Sequence, residues 1–178
     1  LYFDTNGGTA PITNGNLLKE PLLLYFETLN PAENKRSYSS VLGNNTTPGT
    51  GYARSTLDSV DSWIPIVSNT SQYMTIDLDT IRTVSGGITQ GRFDATSGIQ
   101  FVSSYKVSFS TDNSTYLYIT TTGSTANIAS AQIFTGNTDQ NTKIQSLFNT
   151  PIQAQYIRYH PVSWNRWITM RAGVIVSQ

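Results

Sequence analysis

Gln72-Tyr73-Met74-Thr75-Ile76-Asp77-Leu78 decides the fold class. Met74, Ile76 and Leu78 alternate with Thr75 and Asp77, the period-two pattern of a strand with one face on a core and the other in water. The pattern recurs downstream. Residues 104–110 put Tyr105, Val107 and Phe109 on one face, and Ser110-Thr111-Asp112-Asn113-Ser114 is turn chemistry leading back into residues 116–119, so the pair reads as a β-hairpin. Residues 156–160 and 167–176 are rich in β-branched and aromatic side chains, and Pro151 and Pro161 bracket the first run as Pro does at strand ends. No window sustains the i, i+3, i+4 apolar spacing of a helix, while Gly, Pro, Asn and Ser recur throughout. Many short strands with frequent turns predict an all-β sandwich or barrel. Three long loops punctuate it: residues 42–52 (LGNNTTPGTGY), 91–99 (GRFDATSGI) and 120–130 (TTTGSTANIAS).

A chain of 178 residues is the size of one domain with a short extension. Residues 1–35 carry turn signals at Asn6-Gly7-Gly8 and Asn14-Gly15 and a strand-like run at 22–26; they are expected to be an N-terminal extension or the end of a preceding domain, with the domain proper over 36–178. Charged residues make up only 12% of the chain, against roughly 25% in an average soluble domain, so Ser, Thr, Asn and Gln supply the polar surface. Such surfaces are common on β-rich extracellular or particle-surface proteins, and that is the expected location. The 11 basic residues balance the 11 acidic ones and form no run, which leaves no electrostatic footprint for nucleic acid. The longest apolar run, residues 22–26, is far below the roughly 20 residues of a membrane-spanning helix.

Several blocks, taken in chain order, carry a resemblance. They are Ala53-Arg54 with Leu57-Asp58-Ser59 and Trp63; residues 72–78; Ile88-Thr89-Gln90-Gly91-Arg92; Val102-Ser103-Ser104-Tyr105-Lys106-Val107; Gly136-Asn137-Thr138-Asp139; Thr150-Pro151-Ile152 with Ala154, Tyr156-Ile157-Arg158 and His160-Pro161; and Trp164 with Ile168-Thr169-Met170-Arg171. This series resembles the discoidin family, also called the factor V and factor VIII type C domains, over residues 36–176. The Arg and Asp within residues 91–95 resemble the slime-mould discoidins in particular. The resemblance implies a discoidin-type jelly roll, a distorted eight-stranded antiparallel β-barrel or sandwich that binds ligands through loops at one end and catalyses nothing. Two departures stand out: Ser55 and Thr56 are inserted after Ala53-Arg54, and the cysteine pair that ties the family's termini is missing.

The chemistry of the residues agrees with a binding role. With no cysteine and one histidine, His160, neither a Cys-His dyad nor a multi-histidine metal site can be built, and no nucleophile-elbow motif accompanies a serine. His160 lies in a strand block and is expected to be structural. Asp77 and Asp79 fall on one face of a strand end and are expected to be structural or solvated. Gly86-Gly87 opens a strand and not a phosphate-binding helix. No catalytic residue is assigned.

Sugars offer hydroxyls to charged and amide groups and C–H faces to aromatic rings. The loops supply those types, and the candidate ligand-binding residues are Asn44, Asn45, Tyr52, Asp58, Arg92, Phe93 and Asp94. Arg92 and Asp94 form a donor and acceptor pair two residues apart. Trp164, Arg166 and Trp167 are a further candidate for ligand contact but are assigned mainly to core or rim packing, and Trp63 is assigned to the core. Phe93 alone offers too little apolar area to hold a bilayer at roughly 25 cal/mol per Å², which disfavours membrane lipid as a partner. Oxygen ligands for a structural Ca²⁺ are plentiful, but no calcium-loop spacing is present, so no metal or other cofactor is predicted. Two readings stay open. One is a lectin-like module for galactose or N-acetylgalactosamine type glycans; the other is a structural or protein-interaction domain of a larger surface, adhesion or virion assembly.

Overall fold

A computed structural model describes residues 25–93 and 98–177. These contain nine strands: β1 (Phe26–Leu29), β2 (Arg36–Tyr38), β3 (Met74–Gln90), β4 (Phe101–Ser110), β5 (Leu117–Thr120), β6 (Gly123–Thr125), β7 (Phe134–Thr135), β8 (Ile144–Asn165) and β9 (Arg171–Ser177). Single 3₁₀ turns at Glu33–Lys35 and Ile128–Ser130 are the only helical elements among the described residues. All pairings are antiparallel and run in the order β1-β9-β3-β8-β4-β5-β6, with β2 also on β3 and β7 also on β4.

The long strands make the curvature. β3 pairs with β2 through Met74, Thr75 and Ile76, then with β9 from Val84 onward, while β8 follows it on the other side throughout. Register shifts between Asp77 and Arg82 and between Val84 and Gly86 mark where β3 changes neighbours, as bulges do at sandwich corners. The alternation read across Asp77 and Asp79 breaks here: Asp79 is left-handed (φ 66°), its N–H donates to Asp77 Oδ1, and its carboxylate pairs with Lys35. β8 runs through Pro151 and Pro161 instead of stopping at them. Pro161 pairs with Tyr105 beside a register shift, and Pro151 adjoins the shift at Val84/Gly86, sites where a missing N–H costs little.

The expected all-β jelly roll is present in its sandwich form: the described residues make an open, curled antiparallel sheet of nine strands that is not closed into a barrel. Among the described residues β1, four residues long, pairs with β9 alone, and β6, three residues long, pairs with β5 alone. β1 brings Phe26–Leu29, ahead of residue 36, into the same sheet.

Among the described residues a large core fills the curl, and Leu57, Ile88 and Ile175 form a small second cluster. Met74, Ile76, Val84, Tyr105, Val107, Ile157, Tyr159 and Val174 come from strands, and Val41, Trp63, Ile168 and Met170 from the long connections. Trp63 stacks on Tyr38 at 5.8 Å and donates through Nε1 to Ser40 O at 2.8 Å, which satisfies its one polar group in the interior. The hairpin expected over 104–119 is present, with Ser108 opposite Tyr118 and Phe109 opposite Leu117. The strand expected from 167 begins instead at Arg171.

Candidate functional site

Several connections meet at one end of the sandwich, and the hydrogen bonds between them show it. Arg171, at the start of β9, donates through Nε to Gly91 O (2.7 Å), through Nη1 to Ser59 O (2.8 Å) and through Nη2 to Gln140 O (2.8 Å) and Asn141 Oδ1 (3.1 Å). Asn165 Nδ2 donates to Ile99 O at 2.7 Å. The buried Arg171 guanidinium thus fixes the segments around Ser59, Gly91 and Gln140 relative to β9, because its planar fork presents donors in set directions.

Two clefts open on this end. The first, of about 280 Å³, is lined by Leu42, Tyr52, Ile64, Arg92, Gln100 and Trp167. Trp167 is 48% exposed at its rim. The turn before it explains that exposure: Arg166 is left-handed (φ 61°) and Trp167 N–H donates to Asn165 O, which swings the indole out of the strand direction. Arg92 is only 8% exposed, donates through Nε to Asp61 Oδ1 at 2.8 Å and through Nη1 to Gln100 Oε1 at 3.2 Å, and lies 5.4 Å from the Tyr52 ring. The second cleft, of about 330 Å³, is lined by Asp58, Val60, Gln90, Phe93, Asn141 and Arg171. Asp58 is left-handed (φ 64°), and its carboxylate accepts from Lys143 Nζ and Gln90 Nε2. Lys143 foremost, and Gln90 after it, hold the Asp58 carboxyl below the usual carboxylate range.

The residues expected to bind ligand therefore fall in three places. Tyr52 and Arg92 meet in the first cleft; Asp58 and Phe93 meet in the second. Asn44 and Asn45 are exposed on the 42–52 loop and line neither cleft; Asn45 Oδ1 caps Thr47 N–H at 3.1 Å. Asp94 lies outside the described residues. Asp61, from the loop before Trp63, is an acid that pairs with Arg92. Gln100 and Leu42 are cleft residues that sequence reasoning missed, and Trp167, weighed there as a ligand contact but assigned mainly to packing, lines the first cleft. An Asn-Arg-Trp run after a strand is a signal for an exposed aromatic, but it reads equally well as continued strand.

His160 is structural in this fold: buried, with Nε2 2.8 Å from Ser108 Oγ, and its ring against Tyr73 and Tyr118. Among the described residues no three His, Asp or Glu side chains gather as metal ligands would.

A curled β-sandwich with polar and aromatic clefts set in loops at one end defines a ligand-binding module of the jelly-roll class. The model of the F5/8 type C domain family matches residues 35–174, and the chain belongs to that family, a family of non-catalytic binding modules. Its relatives include lactadherin from Bos taurus, 33% identical over 115 residues (65% of this chain, 26% of lactadherin), and discoidin-1 from Dictyostelium discoideum, 34% identical over 116 residues (65% of this chain, 41% of the relative). The chain thus spans less than half the length of these relatives. Among solved structures, the family 32 carbohydrate-binding module of C. perfringens NanJ in complex with galactose matches 86% of this chain and 100% of that one, with a TM-score of 0.56 at 15% identity, a likeness of fold.

Proposed function

We propose that this chain is a lectin-like module that recognises galactose or N-acetylgalactosamine type glycans on an extracellular or cell surface. The observation that carries the reading is the first cleft, which the half-exposed indole of Trp167 lines together with the fixed polar groups of Arg92 and Gln100 and the Tyr52 ring. An aromatic face covers the C–H side of a pyranose, and charged or amide groups meet its hydroxyls, so one cleft offers both halves of sugar recognition. The galactose complex of the NanJ module and the discoidin relatives support a saccharide as the ligand class. Affinity for a single sugar is expected in the millimolar to micromolar range, raised on multivalent surfaces by effective concentration.

Titration calorimetry or NMR with galactose and N-acetylgalactosamine tests this. Trp167→Ala should weaken binding about tenfold or more, roughly 1.4 kcal/mol, while leaving the unfolding midpoint unchanged because the side chain is largely outside the core. No saccharide binding by the parent protein at millimolar sugar sinks the reading.

A second reading is favoured by the apolar side chains this end exposes: Val60 (71%), Phe93 (58%) and Ile99, in addition to Trp167. That is more than the single Phe93 seen in the sequence, and it suits docking on a partner surface. Association with a protein partner or with lipid vesicles that is indifferent to saturating sugar is its mark.

A further inference from the structure

We infer that the loop end reads a saccharide chain of at least two units, one in each cleft, and not a terminal monosaccharide alone; this rests on the lectin reading above. The two clefts are lined by residues adjacent in the chain. Arg92 lines the first and is bonded through Nε to Asp61. Its chain neighbour Phe93 and Asp61's chain neighbour Val60 line the second. The Arg92–Asp61 bridge thus ties together the two segments whose neighbouring residues line the second cleft.

The second cavity has its own recognition chemistry. Phe93 offers a ring more than half exposed, with Val60 beside it, as Trp167 does in the first. Asp58 stands ready as an ionised acceptor, aimed by its left-handed backbone and held by Lys143 and Gln90. The floor is rigid: Arg171 is buried with its donors engaged by Gly91, Ser59, Gln140 and Asn141, and Gln90 Nε2 also donates to Asn141 O at 2.8 Å. Volumes of about 280 and 330 Å³ fall just below and just above the lower bound of the roughly 300–1,000 Å³ of small-molecule sites, so each suits one small unit and the pair suits a linked two-unit ligand. Linking two weakly held units makes the second contact intramolecular and multiplies affinity with no change in either cleft.

The test is chain-length dependence. Galactose, lactose and N-acetyllactosamine are titrated by NMR into the whole chain and into the Phe93→Ala variant, with thermal unfolding of both followed in parallel. The expected result is at least tenfold tighter binding of the disaccharides by the parent, and disaccharide affinity in Phe93→Ala reduced to that of galactose with the melting temperature kept. Galactose binding with no gain for either disaccharide overturns this inference and leaves the lectin reading standing. Full retention of the gain in Phe93→Ala likewise overturns it. Failure of all three sugars and of N-acetylgalactosamine to bind overturns both.

Discussion

Arg92 shows how little of a side chain's role is settled by its place in a loop. Its sequence context offers a hydroxyl-binding cation beside Asp94; the fold buries it against Tyr52 and ties it to Asp61, a partner 31 residues away. Its charge then acts as a fixed part of a cleft wall, since a buried pair holds its geometry far better than a surface one. His160 is the converse, a residue whose structural role was legible. Burial, followed by the charges of Arg158 and Lys106, pushes its imidazole from 6.5 down to about 3, and the Tyr73 and Tyr118 rings and Ser108 enclose it. The folded protein therefore keeps His160 neutral where the unfolded chain protonates it. Between pH 6.5 and about 3 the unfolded state binds the extra proton, so stability falls as pH drops through that window, by at most about 1.4 kcal/mol per pH unit from this group. Urea unfolding at pH 7, 6 and 5, above the range where most carboxylates titrate, should show this slope in the parent and a flatter one in His160→Gln. Equal slopes would show that His160 is solvated in the folded state.

At the scale of elements, the junction of β3, β8 and β9 is set by a close approach. Tyr159 on β8 crosses β3 at Gly87 and donates from Oη to Gly173 O on β9 at 2.6 Å. A Cβ on Gly87 would lie 2.6 Å from that phenolic oxygen and 3.0 Å from the ring, and the ring is fully buried and cannot swing away. Gly87→Ala should cost about 2–3 kcal/mol in chemical denaturation, the scale of overpacking a filled core. In a Tyr159→Phe background, which removes the nearest atom, the same substitution should cost less, giving a non-additive cycle. Strictly additive costs would place the strain elsewhere. The hairpin of β4 and β5 was legible because alternation and turn chemistry agree there. The start of β9 was not: Trp167, Ile168 and Thr169 have strand composition, and the turn that ejects Trp167 rests on a left-handed Arg166, a residue type with no preference for that conformation.

At the scale of the whole molecule, arginine forks do the cross-linking that a chain without cysteine cannot do by disulfides. Arg36 spans Pro31 O, Ser55 O and Ala172 O at 2.7–2.9 Å, tying β2 to the 53–57 segment and β9, and Arg171 gathers the loop end. A low overall charge thus coexists with charges placed inside, each surrounded by backbone oxygens. Arg171→Lys keeps the charge but loses the fork, and should cost about 2–4 kcal/mol by leaving buried carbonyls without donors. Sugar affinity should fall with it, since both clefts rest on that residue, whereas Trp167→Ala lowers affinity alone. Urea midpoints and galactose titrations on the two variants separate these cases; an Arg171→Lys variant as stable as the parent would make the fork dispensable.

The amino-acid sequence by itself determined that the chain is all-β, that Met74, Ile76, Tyr105 and Val107 face a core, that the family is F5/8 type C, and that neither cysteine nor clustered histidine chemistry is available. Those properties live in short-range alternation, turn residues, composition and ordered motif blocks, which need no knowledge of what lies across the fold. Only the tertiary structure decided that the sheet stays open, that Asp61 comes from a separate loop to pair with Arg92, that Trp167 stands at a cleft, and that Arg92 and Phe93, adjacent in the chain, line two different clefts. Each of these depends on residues far apart in the chain meeting in space, as where Arg171 draws the loops together at one end of the sandwich; such meetings are fixed by packing and hydrogen-bond geometry, and no local pattern encodes them.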